Sequence, residues 1–338
     1  MNPVHTARRN LRHRTIVVNS ALAVSLVTAA FVSLASGAYA RSPIEVLAVL
    51  MGQGDTMDRF VIVDLRLPRL LVALIVGVAF AVAGALFQTV LRNPLASPDI
   101  IGISGGASAA AVFAIIGLGL TGPAVSVAAL LGAAVVAACV YLLASSSGYR
   151  FVLIGIGFAF IANSVIGYLL TRGKVEKAQT ALVWMVGSLG GASATDVLLL
   201  AVTVAPLLVL VAANAPRLRI LQLGNETASS LGVNPERTTL ATVVLASALI
   251  AVATAVVGPI AFLAFVSAPI ARRLARTGSL ALGTSALVGA VIVLVADFVA
   301  QHVLPETVQA PVGVVTGLLG GCYLIRLLSS PDRLSRRS

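Results

Sequence analysis

The sequence predicts an all-α polytopic membrane protein of about ten transmembrane helices, with both termini in the cytoplasm. Three observations carry this expectation. Hydrophobic residues make up 59% of the 338 positions and charged residues only 10%, whereas a soluble domain carries about 25% charged residues. The apolar residues gather in runs, most of them near the roughly 20 helical residues that cross about 30 Å of hydrocarbon. The basic residues are distributed unequally over alternate loops, as the positive-inside rule requires.

The expected spans are 16–37, 69–91, 101–120, 123–144, 151–171, 195–214, 239–257, 259–272, 280–300 and 310–328. The first follows a basic start of Arg8, Arg9, Arg12 and Arg14 and precedes Ala38-Tyr39-Ala40, which resembles a signal cleavage site. Its apolar stretch exceeds the 7–15 residues of a signal h-region, which favours a retained helix. The eighth is short and begins at Gly258-Pro259, so a broken or tilted helix is expected there, with protein or water around the freed backbone. With the termini inside, 16 of the 23 basic residues fall on the cytoplasmic side and 7 outside. Residues 1–15 form a basic cytoplasmic tail, 16–328 one membrane domain with a cytoplasmic loop at 215–238, and 329–338 a second tail. The net charge of +11 therefore reflects topology and lipid contact; nucleic acid would need aromatics interleaved on a hydrophilic basic face.

Enzyme chemistry finds no support. There is no phosphate-binding G-x-x-x-x-G-K-[ST] loop, no H-E-x-x-H and no nucleophile elbow. Cys139 and Cys322 lie within apolar runs, and His5, His13 and His302 have no neighbours at metal-ligand spacing. No catalytic residue, metal or cofactor is expected in this chain. Asp297 is the one acidic residue well inside a span, toward its outer end. That scarcity weighs against an ATP-independent, ion-coupled carrier, the rival function class, because such carriers use ionisable groups near the midplane. Gly77, Gly84, Gly102, Gly105, Gly106, Gly155, Gly157, Gly317, Gly320 and Gly321 read as close-packing positions between helices.

Three local patterns remain. Arg66-Leu67-Pro68-Arg69 precedes the second span at the outer face. Pro68 suits a first helical turn, and the two guanidinium groups could hold carboxylates in bidentate pairs or serve as snorkelling anchors. Gln88 through Pro98, with Arg92-Asn93-Pro94-Leu95, reads as a tight cytoplasmic turn leading into the glycine-rich start Gly102-Ile103-Ser104-Gly105-Gly106. In the loop from Leu218 to Arg237, Asn225 is the expected N-cap, Glu226 lies in the first turn and Gly232 sits at C′. The short helix so formed could plug into a groove of another protein or lie on its own bundle.

Together these blocks resemble the FecCD family of binding-protein-dependent permeases, which includes importers of ferric siderophores, haem and vitamin B12. Further marks are Trp184 with Gly187-Ser188-Leu189, Leu223-Gly224, Leu231-Gly232-Val233, Gly258-Pro259-Ile260-Ala261-Phe262, Ala296-Asp297 and Pro311-Val312-Gly313-Val314-Val315-Thr316. The resemblance implies a type II ABC importer permease in a bacterial inner membrane, dimeric with itself or with a second permease subunit. It implies two cytoplasmic ATPase subunits, which bind ATP and magnesium, and an extracytoplasmic substrate-binding protein. A ferric siderophore is the implied cargo, with haem or cobalamin as alternatives. Arg66 and Arg69 would dock the binding protein. Asn93 and Leu95, with Ser145, Ser146 and Ser147, would form the cytoplasmic gate. Leu223, Gly224, Glu226, Ala228, Leu231 and Gly232 would couple to the ATPase. Asn163, Ser164 and Gly167 are candidates for the pathway lining, with helix–helix hydrogen bonding the alternative for the two polar ones. Two departures suit one half of a mixed pair: Gln301 stands where relatives carry an arginine, and Ala268-Pro269 shifts the proline of the eighth helix by one position while Arg272 is kept.

Overall fold

The computed structural model describes residues 3–97, 102–144, 148–276, 280–303 and 310–329, and every regular element among them is a helix. In chain order these are α1 (Pro3–Ala35), α2 (Pro43–Leu50), α3 (Thr56–Arg59), α4 (Leu67–Val90), α5 (Ile103–Val112), α6 (Pro123–Ala144) and α7 (Gly148–Arg172). There follow α8 (Val175–Val186), α9 (Ala194–Leu221), α10 (Asn225–Ser230), α11 (Pro235–Val257), α12 (Leu263–Ala275), α13 (Leu282–His302) and α14 (Val312–Leu328). Among the described residues, seven helical stretches are long and apolar enough to cross a membrane: Arg9–Ala35, Thr56–Val90, Pro123–Leu143, Leu153–Arg172, Ala194–Leu221, Pro235–Val257 and Leu282–His302. Ile103–Gly117 and Val312–Arg326 are shorter apolar helices, and α12 has 13 residues. The expected ten ranges are thus occupied by seven full-length helices and three below the roughly 20-residue length of a straight span.

The bundle is organised around α4. In its most apolar stretch 78% of the residues are buried, against none for α1, so α4 is the central helix and α1 an edge helix facing lipid. Small residues let the backbones close on it. A Cβ on Gly77 would lie 2.7 Å from Ala290 Cα, one on Gly289 would lie 2.4 Å from Gly77 O, and one on Gly84 would lie 1.9 Å from Ala264 O. The same device joins α5 to α6, where a Cβ on Gly132 would meet Gly106 O at 2.4 Å. In lipid, packing of this kind replaces the hydrophobic drive that water would supply. Gly157 and Gly321, expected as packing positions, have open space beside them instead.

The second span departs from expectation. It begins at Thr56 and runs unbroken to Val90, so Arg66-Leu67-Pro68-Arg69 lies within a helix rather than ahead of one. Between α3 and α4, residues Phe60–Arg66 form wider π-helical turns, with the Leu67 N–H reaching back to Ile62 O. Pro68 explains the widening: a proline has no N–H to donate and its ring collides with the carbonyl four residues earlier in a regular α-helix. A similar widening, Phe113–Gly117, ends the α5 segment.

The break at Gly258-Pro259 is present. Helix α11 ends at Val257, α12 starts at Leu263, and Phe262 takes a left-handed conformation with φ 62°. The freed backbone is held by protein. Ser188 N–H donates to Val257 O at 2.8 Å, and Gly313 N–H to Gly187 O at 3.2 Å. The chain passes so close to itself that a Cβ on Gly313 would stand 1.6 Å from Val186 O and one on Gly258 2.2 Å from Trp184 O. Inside α12, Pro269 cannot donate to Phe265 O; the amide of Gln88, from α4, donates to that carbonyl at 2.9 Å. Gln88 Oε1 in turn accepts from Arg272. One buried side chain therefore satisfies the proline break and ties both ends of the last α12 turns to the central helix.

Candidate translocation and coupling sites

At the predicted outer end, Arg66 and Arg69 leave the same stretch of helix but have different partners. Arg66 donates to Leu34 O at 2.7 Å and to Tyr39 O at 2.8 Å. It caps the carbonyl end of α1, where a cation is favoured by the helix dipole. Arg69 forms a two-pronged pair with Asp297 of α13, with Nη2 2.7 Å from Oδ1 and Nε 3.0 Å from Oδ2. The Asp297 side chain is 3% exposed and that of Arg69 28%. Gln301 donates to Asp297 Oδ2 at 2.6 Å, so the residue that departs from the family pattern supports the ion pair instead of adding a charge. Beside them Arg41 pairs with Asp58 at 2.7 Å, and Tyr39 OH donates to the same carboxylate at 2.9 Å. Neither Arg66 nor Arg69 is a free guanidinium.

A separate cavity has a volume of about 750 Å³. Ser104, Gly105 and Ser108 of α5, Ala159 and Asn163 of α7, Met185 and Val186 of α8, Pro259, Ala261, Phe262 and Phe265 around the α11–α12 break, and Gly313 and Leu324 of α14 line it. Leu95 and Ser97 of the α4–α5 turn complete the wall. None of these residues is ionisable. Phe262 and Phe265 meet edge to face with ring centroids 6.0 Å apart. Of the three lining candidates, Asn163 faces this cavity; Ser164 spends its hydroxyl on Phe160 O at 2.9 Å, and Gly167 has open space beside it. Helix α8 was hidden in what the sequence presents as an outer loop. The signal that could have found it is Ala181, Trp184 and Met185, apolar residues at helical spacing, of which Ala181 is fully buried.

At the predicted cytoplasmic end, Asn93 Oδ1 accepts from Leu95 N–H at 2.9 Å. This Asx turn sets Leu95, 38% exposed, at the cavity edge. Ser145, Ser146 and Ser147 lie outside the described residues. The neighbouring α10 has its C-terminus where the sequence puts it. Val233 N–H reaches Ala228 O at 2.9 Å and Gly232 N–H reaches Ser229 O at 3.0 Å, with Gly232 at φ 79°, a Schellman closure. Its start differs: Gly224 at φ 113° is the cap and Asn225 is already helical. The Asn225 side chain is occupied elsewhere, accepting from Arg92 Nη2 at 3.1 Å. Ala228 is buried against the bundle, while Leu223 and Leu231 are 64% and 58% exposed. Glu226 is also exposed. The short helix thus lies on its bundle by one face and leaves two leucines and a carboxylate outside.

Comparison with known proteins agrees with this architecture. The family model for the FecCD transport family matches residues 25–330. The ferric enterobactin transport system permease protein FepG of Escherichia coli strain K12 is 39% identical over 324 residues, covering 95% of this chain and 98% of that protein. The probable siderophore transport system permease protein YfhA of Bacillus subtilis strain 168 is 36% identical over 316 residues, covering 89% and 92%. A solved chain from an inward-facing metal-chelate type ABC transporter superposes with a TM-score of 0.82 at 27% identity, over 92% of this chain and 98% of the other. This chain belongs to the FecCD transport family and is a multi-pass permease of an ABC importer in the cytoplasmic membrane.

Proposed function

We propose that this chain is one half of the membrane pathway of an ATP-driven importer for a ferric siderophore. The single observation that carries the reading is the cavity between α5, α7, α8, α12 and α14. It is large, Leu95 and Ser97 of the α4–α5 turn form its floor, and among the described residues that line it none is ionisable. A bulky ferric chelate needs a wall that excludes it from lipid without holding it, and fixed charges would trap it. The ferric enterobactin and siderophore permeases that this chain resembles supply the cargo class.

The complex would contain a second permease subunit, two cytoplasmic ATPase subunits and a substrate-binding protein on the outer face. Leu223, Glu226 and Leu231 are the exposed groups on α10 available to an ATPase groove, and Leu95 with Asn93 is the turn that would open and close the cytoplasmic mouth. For docking, Asp297 engages Nε and Nη2 of Arg69, so Nη1 is the nitrogen left for a carboxylate of the binding protein. Hydrolysis of ATP belongs to the partner, and no step in this chain makes or breaks a covalent bond.

The test is uptake of radiolabelled iron by cells lacking this chain, presented as the ferric chelate of a panel of siderophores and as haem. Loss of uptake for one ferric siderophore, restored by the chain supplied in trans, is the expected result. Unaltered uptake of every siderophore would overturn the cargo, and selective loss of haem uptake would reassign it.

A further inference from the structure

At the cytoplasmic end of α4 one side chain bridges two parts that the function requires to move together. Arg92 follows Leu91, the C-cap of α4, and precedes Asn93 of the Asx turn. Its backbone is left-handed, with φ 49°, a conformation that a side-chain-bearing residue adopts at a cost. That conformation sends the guanidinium away from its own turn. Nη2 donates to Asn225 Oδ1 at 3.1 Å on the first turn of α10 and to Leu221 O at 3.3 Å at the end of α9. The same arginine thereby grips both sides of the hinge between α9 and α10, the point where the short helix joins the bundle.

A displacement delivered there would not be absorbed locally. Asn93 N–H is bonded to Gln88 O at 3.2 Å, and the Gln88 side chain holds Phe265 O and Arg272 of α12. Phe265 lines the cavity, as does Leu95 on the other side of the turn. The physical chain therefore runs from α10 through Arg92 to the α4–α5 turn, and onward through Gln88 to the cavity wall.

We infer that Arg92 is a positioning residue for transport: its clasp on Asn225 and Leu221 O makes the α4–α5 turn follow α10, so that work done on α10 by the ATPase reaches the cytoplasmic mouth. Any positively charged side chain would satisfy a purely topological role at this end of the helix; the bridge needs a donor that reaches an amide oxygen and a helix-terminal carbonyl at once, which the guanidinium fork provides. This inference rests on the ATP-driven reading above.

The experiment uses the complete transporter in proteoliposomes, with ferric chelate delivered by the binding protein, and measures chelate taken up per ATP hydrolysed. Arg92→Ala and Asn225→Ala should each lower that ratio about five-fold, the factor that corresponds to about 1 kcal/mol of linkage from a partly exposed charge-assisted hydrogen bond. The double variant should be no worse than either single one. The paired exchange Arg92→Lys with Asn225→Asp, which rebuilds a charged contact, should recover part of the ratio, whereas Arg92→Lys alone should not. Weakened assembly with the ATPase lowers uptake and hydrolysis in proportion and leaves the ratio at the wild-type value; that result, in the variants of either residue, overturns the clasp. Additive losses in the double variant overturn it too, because they place the residues in separate roles. A wild-type complex that hydrolyses ATP without importing the chelate overturns the parent reading and this inference with it; a working wild type with unaltered variants overturns this inference alone.

Discussion

Breaking the Arg69–Asp297 pair from its two ends should have unequal consequences. The carboxylate is almost wholly buried and the guanidinium is 28% exposed. Gross attraction between two unit charges about 4 Å apart is about 4 kcal/mol at an effective dielectric constant of 20, and most of it offsets the desolvation of Asp297. Arg69→Met removes the partner that water cannot replace. Among the described residues Asp297 then keeps only the amide of Gln301, a stranded buried charge of the kind that costs about 3–5 kcal/mol. Asp297→Asn removes the charge from the buried side. The new amide oxygen still accepts from Arg69, and the half-open guanidinium regains water, so the loss should be about 1–2 kcal/mol. The difference of about 2 kcal/mol is roughly thirty-fold in the unfolding equilibrium. The double variant Arg69→Met, Asp297→Leu, which removes both charges and fills the space with apolar atoms, should return to within about 1 kcal/mol of the wild type. Denaturant titration of the chain in lipid bicelles, followed by the fluorescence of Trp184, measures all four proteins. Equal losses from the two single variants, or a double variant as poor as the sum of the singles, would refute the reasoning and place the pair among solvent-screened surface contacts.

Three further outcomes follow from particular residues. Gly313→Ala puts a methyl group 1.6 Å from Val186 O at the α8–α14 crossing; it should cost about 3 kcal/mol or prevent the chain from accumulating in the membrane, whereas Gly321→Ala, with nothing within 4 Å, should be silent in the same expression assay. Leu231→Asp alters an exposed leucine of α10, so the purified chain should keep its thermal stability while losing co-purification with the ATPase subunits; a fall in stability instead would assign Leu231 to the bundle. The Glu45 carboxyl is held below its ordinary value of 4.5 by the hydrogen bond from the Ser42 backbone and then by the Ser42 hydroxyl, so its contribution to α2 is present above that value and is lost as the pH falls through the lower folded value. The protection of the Pro43–Leu50 amides, taken relative to the intrinsic exchange rate at each pH, should accordingly fall between neutral and acidic pH in the wild type and show no such step in Glu45→Gln.

What could be read from the sequence divides along a physical line. Apolar length and basic-loop asymmetry need only composition, so the membrane class and the places of the helices were legible, as was the glycine closure of α10 at Gly232. The break at Gly258-Pro259 announced itself by residue type. Elements whose existence depends on packing did not. Helix α8 has too few apolar residues to register as a span, yet it walls the cavity with Met185 and Val186. The π-helical turns before Pro68 follow from the continuation of the helix back to Thr56, which the polar residues 52–59 concealed. The partners of the charged residues were the least legible. Residues 69 and 297 are far apart in sequence, and a motif that presents two arginines says nothing of the carbonyls and the carboxylate that occupy them. The same holds for Gln88, which looks like one polar residue in an apolar helix and satisfies the carbonyl that Pro269 leaves free.

The central claim is that this chain conducts a ferric siderophore inward only when a partner hydrolyses ATP. Its most direct test is uptake of the radiolabelled chelate into proteoliposomes holding the whole complex, compared with vesicles in which the ATPase subunits carry a substitution that binds ATP without hydrolysing it. The account predicts uptake of the iron-loaded chelate in the first and none above background in the second, at any imposed proton or sodium gradient. Uptake that persists without hydrolysis and follows an ion gradient would contradict it.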